Sequence, residues 1–223
     1  MNEPDQEFTR EILRKVRQIE IRSNRLVSEA LAGSYHSAFK GQGIDFEEVQ
    51  QMPGRDEEWL TRSPMGKVPS LETPDGFIAE TMAIIDYLEE THPDSSLLPG
   101  DAYQRAKARQ IAHHAIYYID LAARPGLNSA AFGAPEDEAV NKQVGKATPR
   151  GIQSLARIAS FDPWAAGKDF TLADIVVANT VPLAQMVCQK LCNIDIMSEL
   201  PDLADYVAKV NERPSSQRVA AEK

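Results

Sequence analysis

The stretch GKVPSLETPDGFIAETMAIIDYL, residues 66–88, constrains the fold of this chain more than any other. Val68, Ser70 and Glu72 alternate with Pro69, Leu71 and Thr73, a short period-two run that is typical of a β-strand. The residues Thr-Pro-Asp-Gly at 73–76 are typical of a tight turn, because Pro favours its second position and Gly its fourth. An apolar pair at 77–78 predicts a returning strand, and helical spacing over 82–88 predicts a helix. The stretch therefore predicts a β-hairpin that leads directly into a helix.

Two features of this stretch could hold a small ligand. Because Pro69 cannot donate to a ladder, we expect the backbone N–H and C=O of Val68 to be free at a sheet edge, where an extended peptide could pair. Glu80-Thr81 opens the helix, whose first N–H groups are unpaired and lie at the positive end of its dipole. These N–H groups and the Thr81 hydroxyl can hold a carboxylate, while Glu80 can accept from an ammonium group. The alternative that the spacing leaves open is a hairpin and helix with no ligand.

Composition and charge narrow the class of protein. The chain has 223 residues, enough for one sizeable core or two small domains, and its 43% apolar and 26% charged residues are ordinary for a soluble globular protein. The net charge of −9 and the isoelectric point near 5.0 argue against a nucleic-acid or anionic-membrane partner. No apolar run approaches the roughly 18 residues of a membrane span, and the N-terminus MNEPDQEF is polar and acidic. The sequence predicts neither a membrane span nor a secretory signal.

The cysteines and histidines predict neither a disulfide nor a metal site. Cys188 and Cys192 lie four residues apart in a helical stretch, a poor arrangement for a disulfide, and are expected to be reduced thiols in a cytoplasmic protein. His113 and His114 are adjacent, so on a helix their side chains point about 100° apart and cannot chelate one ion together. The other two histidines lie in unrelated segments.

The N-terminal part of the chain allows two placements of the first strand. Apolar residues between Phe8 and Ile19 recur at steps of three and four, which predicts an amphipathic helix. The first strand is then expected at Arg25–Glu29, with Leu26 and Val27 at its centre. The alternative is Gln18–Arg22, where Ile19 and Ile21 alternate with charged residues.

A helix is expected after either placement, with Ser34 as its N-cap and Gly43 as its stop. Ile44–Val49 predicts a second strand. Residues 56–60 predict a short helix that ends at Ser63-Pro64.

From Asp101 onward the sequence is helical in character. A Pro- and Gly-containing stretch, residues 93–100, predicts an interdomain linker. One long helix is expected from Asp101 to Pro125-Gly126. Another follows the run Pro135-Glu136-Asp137-Glu138, whose acidic residues suit a first helical turn, and Pro149-Arg150-Gly151 is a place where it could bend or be interrupted.

The segment Phe170-Thr171-Leu172-Ala173-Asp174-Ile175 predicts a capped helix. Thr171 can cap the helix while Asp174, three residues on, reaches back to the Thr171 N–H. The residues that follow are almost entirely apolar as far as Val187, so this helix should be the buried centre of the region. A last helix is expected over residues 200–210, followed by a loose tail.

Together, Gly66-Lys67-Val68-Pro69, the hairpin, Glu80-Thr81-x-Ala83-Ile84 and the capped helix at 170–175 resemble the glutathione S-transferase superfamily, over roughly residues 22 to 215. The resemblance implies an α/β thioredoxin-like N-terminal domain, residues 22–92, that binds glutathione. A helical extension, residues 1–21, would precede it. The linker 93–100 and an all-α C-terminal domain, residues 101–223, would follow.

The resemblance also implies the residues that bind glutathione. In that family the proline after valine is cis, and the backbone of the valine pairs with the cysteinyl unit of glutathione. A Glu-Ser pair that opens the next helix holds the γ-glutamyl end, and here Thr81 keeps the hydroxyl of that serine. The expected glutathione-binding residues are therefore Lys67, Val68, Pro69, Glu80 and Thr81.

Catalysis in the family needs a hydroxyl or thiol where the first strand meets the first helix, to stabilise the glutathione thiolate. The candidates are Ser34, Tyr35, Ser28 and Ser23. We select Ser34, because a helix N-cap adds the helix dipole to its hydrogen bond. Its other interpretation is a plain structural cap.

By resemblance, the reaction is conjugation of the glutathione thiolate to a small, largely apolar electrophile, as in detoxification. Glutathione is then a co-substrate, no metal or organic cofactor is implied, and a cytoplasmic homodimer is expected. Four aromatic residues could line the pocket for the second substrate or pack in the core: Tyr103, Tyr117, Tyr118 and Phe132.

Two alternatives stay open. The fold also serves as a non-catalytic interaction module, as in the elongation factor gamma subunit and the stringent starvation proteins. It also supports glutathione-dependent isomerases, peroxidases and dehalogenases. A disulfide-exchange enzyme of the cysteine type is disfavoured, since no cysteine precedes Cys188.

Overall fold

The computed structural model describes residues 20–23 and 47–221. The chain divides into a first unit that ends at Ser95 and a second that begins at Ser96, inside the stretch 93–100 predicted as a linker. The named strands described lie in the first unit, and the named elements of the second are helical. The expected classes, an α/β part followed by an all-α part, are confirmed.

The first unit is built on a four-stranded sheet. Its strands are β1 (Glu20–Ser23), β2 (Glu47–Gln50), β3 (Ser70–Thr73) and β4 (Gly76–Ala79), in the spatial order β2-β1-β3-β4. β1 is parallel to β2 and antiparallel to β3, and β3 is antiparallel to β4. The sheet is therefore mixed, with β3 in its interior.

The predicted hairpin is confirmed. The Thr73 hydroxyl donates to the carbonyl of Gly76 at 2.9 Å and accepts from the N–H of Asp75 at 3.2 Å, so one side chain closes the turn. Leu71, on β3, is fully buried, as are Ile84 and Ile85 in the helix that follows. This helix, α2, spans Thr81–Thr91 and packs against β3 and β4.

A short helix, α1, spans Glu57–Arg62 before the hairpin. Asp56 is its N-cap and accepts from the N–H of Trp59 at 2.9 Å, and Ser63 is its C-cap, close to the predicted bounds. Trp59 is buried and provides the apolar anchor of this helix.

The first strand described matches the second of its two predicted placements. β1 begins at Glu20, two residues before the predicted start of the domain, and overlaps Gln18–Arg22. The other placement, Arg25–Glu29, lies outside the described residues, as do the predicted helix within residues 8–19 and the helix from Ser34 to Gly43. The second strand is described at Glu47–Gln50 and overlaps the predicted Ile44–Val49, of which residues 44–46 lie outside the described residues.

The second unit consists of helices. In chain order they are α3 (Ala102–Ala115), a π-helical segment (Ile116–Asp120), α4 (Leu121–Ala123), a 3₁₀ turn (Arg124–Gly126), α5 (Leu127–Phe132), α6 (Glu138–Leu155), α7 (Leu172–Cys192), α8 (Pro201–Asn211) and α9 (Pro214–Ala221).

The long helix predicted from Asp101 to Pro125-Gly126 is a continuous helical path but not a uniform one. Asp101 and Gln104 form a capping box at its start. The path then widens into the π segment and tightens at the 3₁₀ turn, and α5 continues it to Phe132. Asp120 in the π segment is fully buried and accepts from Arg124 Nε at 2.6 Å; burial is the main cause that raises the pKa of its carboxyl.

α7 is the buried centre of the second unit, as predicted. Most residues of its first half are buried. Among the described residues, it is also the one helix whose length and composition would allow it to cross a membrane, and half of that apolar window is buried inside the unit. Its apolar character is therefore accounted for by core packing.

Asp174 ties the start of α7 to two other parts of the unit. Its carboxylate accepts from Thr171 N at 2.7 Å and Thr171 Oγ1 at 3.2 Å, which confirms the predicted cap. It also accepts from Ala165 N and from the Tyr206 hydroxyl, each at 2.7 Å. Burial raises the pKa of Asp174 and these hydrogen bonds oppose the shift, so the carboxylate is held by four donated bonds in the interior.

One expectation for the helices is corrected. The loose tail predicted after residue 214 is wrong, because Pro214–Ala221 forms α9. Proline suits the first position of a helix, where its missing N–H would have no partner in any case. The bend considered at Pro149-Arg150-Gly151 does not end α6, which runs through Pro149.

We predict that Asp174→Ala destabilises the second unit. The substitution leaves the buried N–H groups of Ala165 and Thr171 and the hydroxyl of Tyr206 without an acceptor, and each unsatisfied donor costs about 1–3 kcal/mol. Urea unfolding should give a free energy of unfolding lower by about 3 kcal/mol or more. Asp205→Ala, an exposed carboxylate on α8, is the control and should have little effect. Equal stability of the two variants would contradict the central role of Asp174.

We also predict that Gly151→Ala is destabilising, although alanine favours helices. A Cβ at Gly151 would lie 2.0 Å from the carbonyl oxygen of Tyr118, so α6 could not approach the π segment. Overpacking of this kind typically costs about 1–3 kcal/mol. Gly145→Ala in the same helix is the matched control, because its Cβ would meet the Cys192 side chain at 3.2 Å, which can shift. In thermal unfolding, the melting temperature of Gly151→Ala should be lower than that of Gly145→Ala. The reverse order would refute this explanation.

Candidate functional site

The backbone of Val68 lies just ahead of the paired part of the sheet. The ladder of β3 begins at Ser70, and the peptide between Val68 and Pro69 is cis, which confirms what the resemblance implies. Val68 is half-buried, and its N–H and C=O have no hydrogen-bond partner among the described residues. The expectation of a sheet edge is corrected, because β3 lies between β1 and β4. The backbone N–H and C=O of Val68 are available to a ligand because Val68 precedes the hydrogen-bonded ladder of β3.

The loop before Val68 is fixed by short-range hydrogen bonds. Ser63 Oγ donates to the carbonyl of Lys67 at 2.7 Å, and Gly66 N donates to the carbonyl of Ser63 at 2.7 Å. Gly54 N donates to the carbonyl of Gly66 at 3.0 Å. Gly66 has a φ of +64°, and a Cβ there would lie 1.9 Å from the Gly54 carbonyl oxygen, so only glycine fits. These contacts hold the chain in place where it enters Val68.

Ser70 anchors the start of β3. Its buried hydroxyl donates to the carbonyl of Arg62 at 2.9 Å, which joins the end of α1 to the strand. No sequence pattern indicates that Ser63 or Ser70 helps to position the site. The sequence predicts one after a short helix and the other in a strand, but their hydrogen-bond partners depend on the fold.

Glu80 is the N-cap of α2 in an unusual backbone conformation. Its φ is +73° and its ψ is 119°, and its side chain makes no capping hydrogen bond. Non-glycine residues rarely adopt positive φ, and such strain costs on the order of 1–3 kcal/mol. The side chain is exposed, so its carboxylate can accept from a ligand. A strained backbone that carries a free acidic side chain is typical of a functional position.

The start of α2 presents hydrogen-bond donors. Thr81 is buried at the first helical position, and its hydroxyl has no hydrogen-bond partner among the described residues. The first turn contains no acidic residue, and the Glu80 side chain does not cap it. The free N–H groups and the dipole of this 11-residue helix therefore form a place that suits an anion.

The register of the hairpin brings these groups together. Ser70, the first residue of β3, pairs with Ala79, the last of β4. Val68 lies two residues before Ser70, and Glu80 directly follows Ala79, so the Val68 backbone and the start of α2 lie at the same end of the hairpin. Lys67, exposed beside them, adds a cation. One end of the sheet thus offers backbone pairing groups, a carboxylate and an anion site.

β1 reaches the same end of the sheet. Arg22 pairs with Ser70 in antiparallel register, so Ser23, the last residue of β1, lies beyond Ser70 in the direction of Pro69. The chain after Ser23 contains the other catalytic candidates, Ser28, Ser34 and Tyr35, which lie outside the described residues. The assignment of Ser34 stays a prediction.

The described cysteines have no sign of reactivity. Burial raises the pKa of Cys188 to about 11, so on the order of one molecule in ten thousand carries the thiolate at pH 7. Burial also raises the pKa of Cys192, whose thiol donates to the carbonyl of Asn141 at 3.2 Å. The described part of the chain contains no group of three or more His, Cys, Asp or Glu side chains that could hold a metal ion.

The four aromatic residues considered for a pocket do not pack in the core. Tyr103, Tyr117, Tyr118 and Phe132 are all exposed. Tyr117 and Tyr118 line a groove within the second unit, between the π segment and α6.

Known proteins match both units. A family model for the glutathione S-transferase N-terminal domain matches residues 35–96, and one for the C-terminal domain matches residues 126–218. A glutathione S-transferase of Pseudomonas putida is 35% identical over 182 residues, 82% of this chain and 83% of that protein. A maleylacetoacetate isomerase of Rattus norvegicus is 30% identical over 152 residues, 65% of this chain and 68% of that protein.

A solved structure has the same fold. The crystal structure of a glutathione S-transferase from Rhodospirillum rubrum superposes with a TM-score of 0.70 at 25% identity, covering 89% of this chain and 90% of that one. With two matching domain models and a relative that is 35% identical over most of its length, the chain belongs to the glutathione S-transferase family.

Proposed function

We propose that the protein is a glutathione transferase that conjugates the thiolate of glutathione to a small, largely apolar electrophile. The observation that carries the proposal is the hairpin register, which puts the free backbone of Val68 and the start of α2 at one end of the sheet. That end has a partner for each part of the tripeptide's γ-glutamyl-cysteinyl portion. Membership of the glutathione S-transferase family supports the same function.

In this proposal each residue has a separate task. The backbone of Val68, set by the Val68–Pro69 peptide, pairs with the cysteinyl unit in the manner of an added strand. The Thr81 hydroxyl and the α2 N–H groups bind the γ-glutamyl carboxylate, and Glu80 accepts from its ammonium group. Lys67 contributes a positive charge beside the tripeptide.

Ser34 is the proposed catalytic residue. A free thiol has a pKa near 8.5, and each unit of depression needs about 1.4 kcal/mol of differential stabilisation. A hydrogen bond to a charged group contributes roughly 1.5–3 kcal/mol, so one hydroxyl donated to the sulfur can make the thiolate prevalent near neutral pH. The thiolate then forms a bond to the electrophilic carbon, and the leaving group departs with the electron pair.

A second candidate function is glutathione-dependent isomerisation, which the similarity to a maleylacetoacetate isomerase favours. The thiolate would add to a carbon–carbon double bond, the resulting single bond would rotate, and elimination would restore both the double bond and glutathione. Conjugation consumes glutathione and isomerisation does not. A thiol assay during turnover with an aryl halide and with a cis-enedione acid distinguishes the two.

The remaining parts of the proposal are a homodimer and a cytoplasmic location. Sedimentation velocity of the purified protein tests the first. If the wild-type protein binds no glutathione at millimolar concentration, the non-catalytic interaction module replaces the enzyme.

We predict that Glu80 is required for glutathione binding and is costly for stability. Both Glu80→Ala and Glu80→Gly remove the acceptor for the ammonium group, so calorimetric titration should show binding weaker by roughly tenfold to a hundredfold. Because glycine relieves the strain at φ +73°, Glu80→Gly should also be more stable than Glu80→Ala by about 1 kcal/mol.

Glu90→Ala, an exposed glutamate near the end of the same helix, is the control and should bind glutathione normally. Wild-type affinity in both Glu80 variants would remove Glu80 from the site. Equal stability of those two variants would remove the strain argument.

We predict that Ser34→Ala spares binding but lowers turnover. Loss of the hydrogen bond to the sulfur should raise the pKa of bound glutathione, followed by the ultraviolet absorbance of its thiolate, and lower kcat with an aryl halide roughly tenfold to a hundredfold. The KM for glutathione should change little. Ser28→Ala is the matched variant. If it, and not Ser34→Ala, shows these changes, the catalytic hydroxyl has been misassigned.

A further inference from the structure

The hydroxyl of Ser63 acts on the peptide unit that carries the Val68 N–H. Ser63 is 2% exposed, and its Oγ donates to the carbonyl of Lys67 at 2.7 Å. No other described group donates to that carbonyl. The carbonyl oxygen of Lys67 and the N–H of Val68 belong to the same planar peptide unit. A bond that holds the one therefore also holds the other.

This peptide unit is trans, so its C=O and its N–H point in opposite directions. The carbonyl of Lys67 points towards Ser63, inside the loop, and the N–H of Val68 consequently points away from the loop. Val68 is half-buried, and its N–H has no partner among the described residues. One hydrogen bond from Ser63 thus sets the direction in which a free donor is presented.

The backbone of Ser63 holds its side chain in place. Its N–H donates to the carbonyl of Trp59 at 2.9 Å at the end of α1, and its carbonyl accepts from the N–H of Gly66 at 2.7 Å. Both bonds use backbone groups, so alanine at this position would keep them. The C-cap of α1 therefore does not account for the hydroxyl, whose described partner is the Lys67 carbonyl.

The same hydrogen bond makes the Val68 N–H a stronger donor. Hydrogen bonds in a chain polarise one another, which strengthens each by about 10–30%. The Ser63 hydroxyl, the peptide unit between Lys67 and Val68, and a ligand carbonyl would form such a chain. Without the hydroxyl, the peptide plane is free to rotate about the bonds on either side of it, and the N–H loses both its direction and this polarisation.

We infer that Ser63 is a positioning residue for glutathione, whose hydroxyl directs the Val68 N–H at the cysteinyl carbonyl. This role rests on the proposed function, because it requires the cysteinyl unit to pair with Val68 as an added strand would. Ser63 acts through the peptide unit and not by contact with glutathione. Its loss weakens one contact of the tripeptide and leaves the γ-glutamyl contacts at Thr81 and Glu80 unchanged.

The test compares two ligands that both keep the γ-glutamyl end and the thiol. γ-Glutamylcysteine N-methylamide has the cysteinyl carbonyl, and γ-glutamylcysteamine lacks it. In calorimetric titration, the wild-type protein should bind the methylamide about tenfold more tightly than the cysteamine derivative. In Ser63→Ala this preference should fall to about twofold or less, because binding of the methylamide alone is weakened.

The ratio of the two affinities separates positioning from folding. Both ligands are titrated into the same protein sample, so any loss of folded protein cancels in the ratio. Thr180→Val is the matched control, because it removes a fully buried hydroxyl that donates to the carbonyl of Val176 at 2.8 Å, within α7 of the second unit. This control should keep the wild-type preference.

Three results would overturn this role of Ser63. If Ser63→Ala keeps the wild-type preference, the hydroxyl does not direct the N–H, although the proposed function stands. If Ser63→Ala weakens both ligands equally, the hydroxyl supports the loop as a whole. If the wild-type protein binds both ligands equally well, the cysteinyl carbonyl does not pair with Val68. A wild-type protein that binds neither ligand, nor glutathione, at millimolar concentration refutes the proposed function together with this role.

Discussion

The pairing of Ser70 with Ala79 is the constraint on which the candidate site depends. This pair closes the open end of the hairpin, so the residues just outside it, Val68 and Glu80, are brought together by the ladder itself. A shift of one residue would turn the side chains of β3 to the opposite faces of the sheet and expose Leu71, which is fully buried. Burial of one leucine and the Thr73 turn therefore also fix the geometry of the site.

The second unit depends in a similar way on a single buried carboxylate. Asp174 accepts from a loop, from its own helix cap and from α8, so one side chain joins three segments around the core helix. The site of the first unit uses donors that are left free, whereas this cap uses donors that are all satisfied. The difference separates a residue that serves folding from residues that are available to a ligand.

Sequence patterns predicted the elements whose formation depends on neighbouring residues in the chain. The hairpin, the cap at Thr171 and Asp174, and the buried run of α7 follow from alternation, turn residues and helical spacing, and all three are present. No sequence pattern indicates the positive φ of Glu80, because glutamate rarely adopts that conformation. The strain is imposed by the strand before Glu80 and the helix after it. The sequence also does not indicate the π segment, because its wider turn accompanies the close approach of Gly151 from another helix. The prediction of a loose tail is wrong because Pro214 begins a further helix, as proline at a first helical position can.

We propose that one end of the hairpin binds the γ-glutamyl and cysteinyl parts of glutathione, and a crystal structure with bound glutathione is the decisive test. We expect the γ-glutamyl carboxylate at Thr81 and the first N–H groups of α2, its ammonium group on Glu80, and the cysteinyl backbone paired with Val68. Glutathione bound elsewhere, or the same groups occupied by side chains of the protein itself, would contradict it.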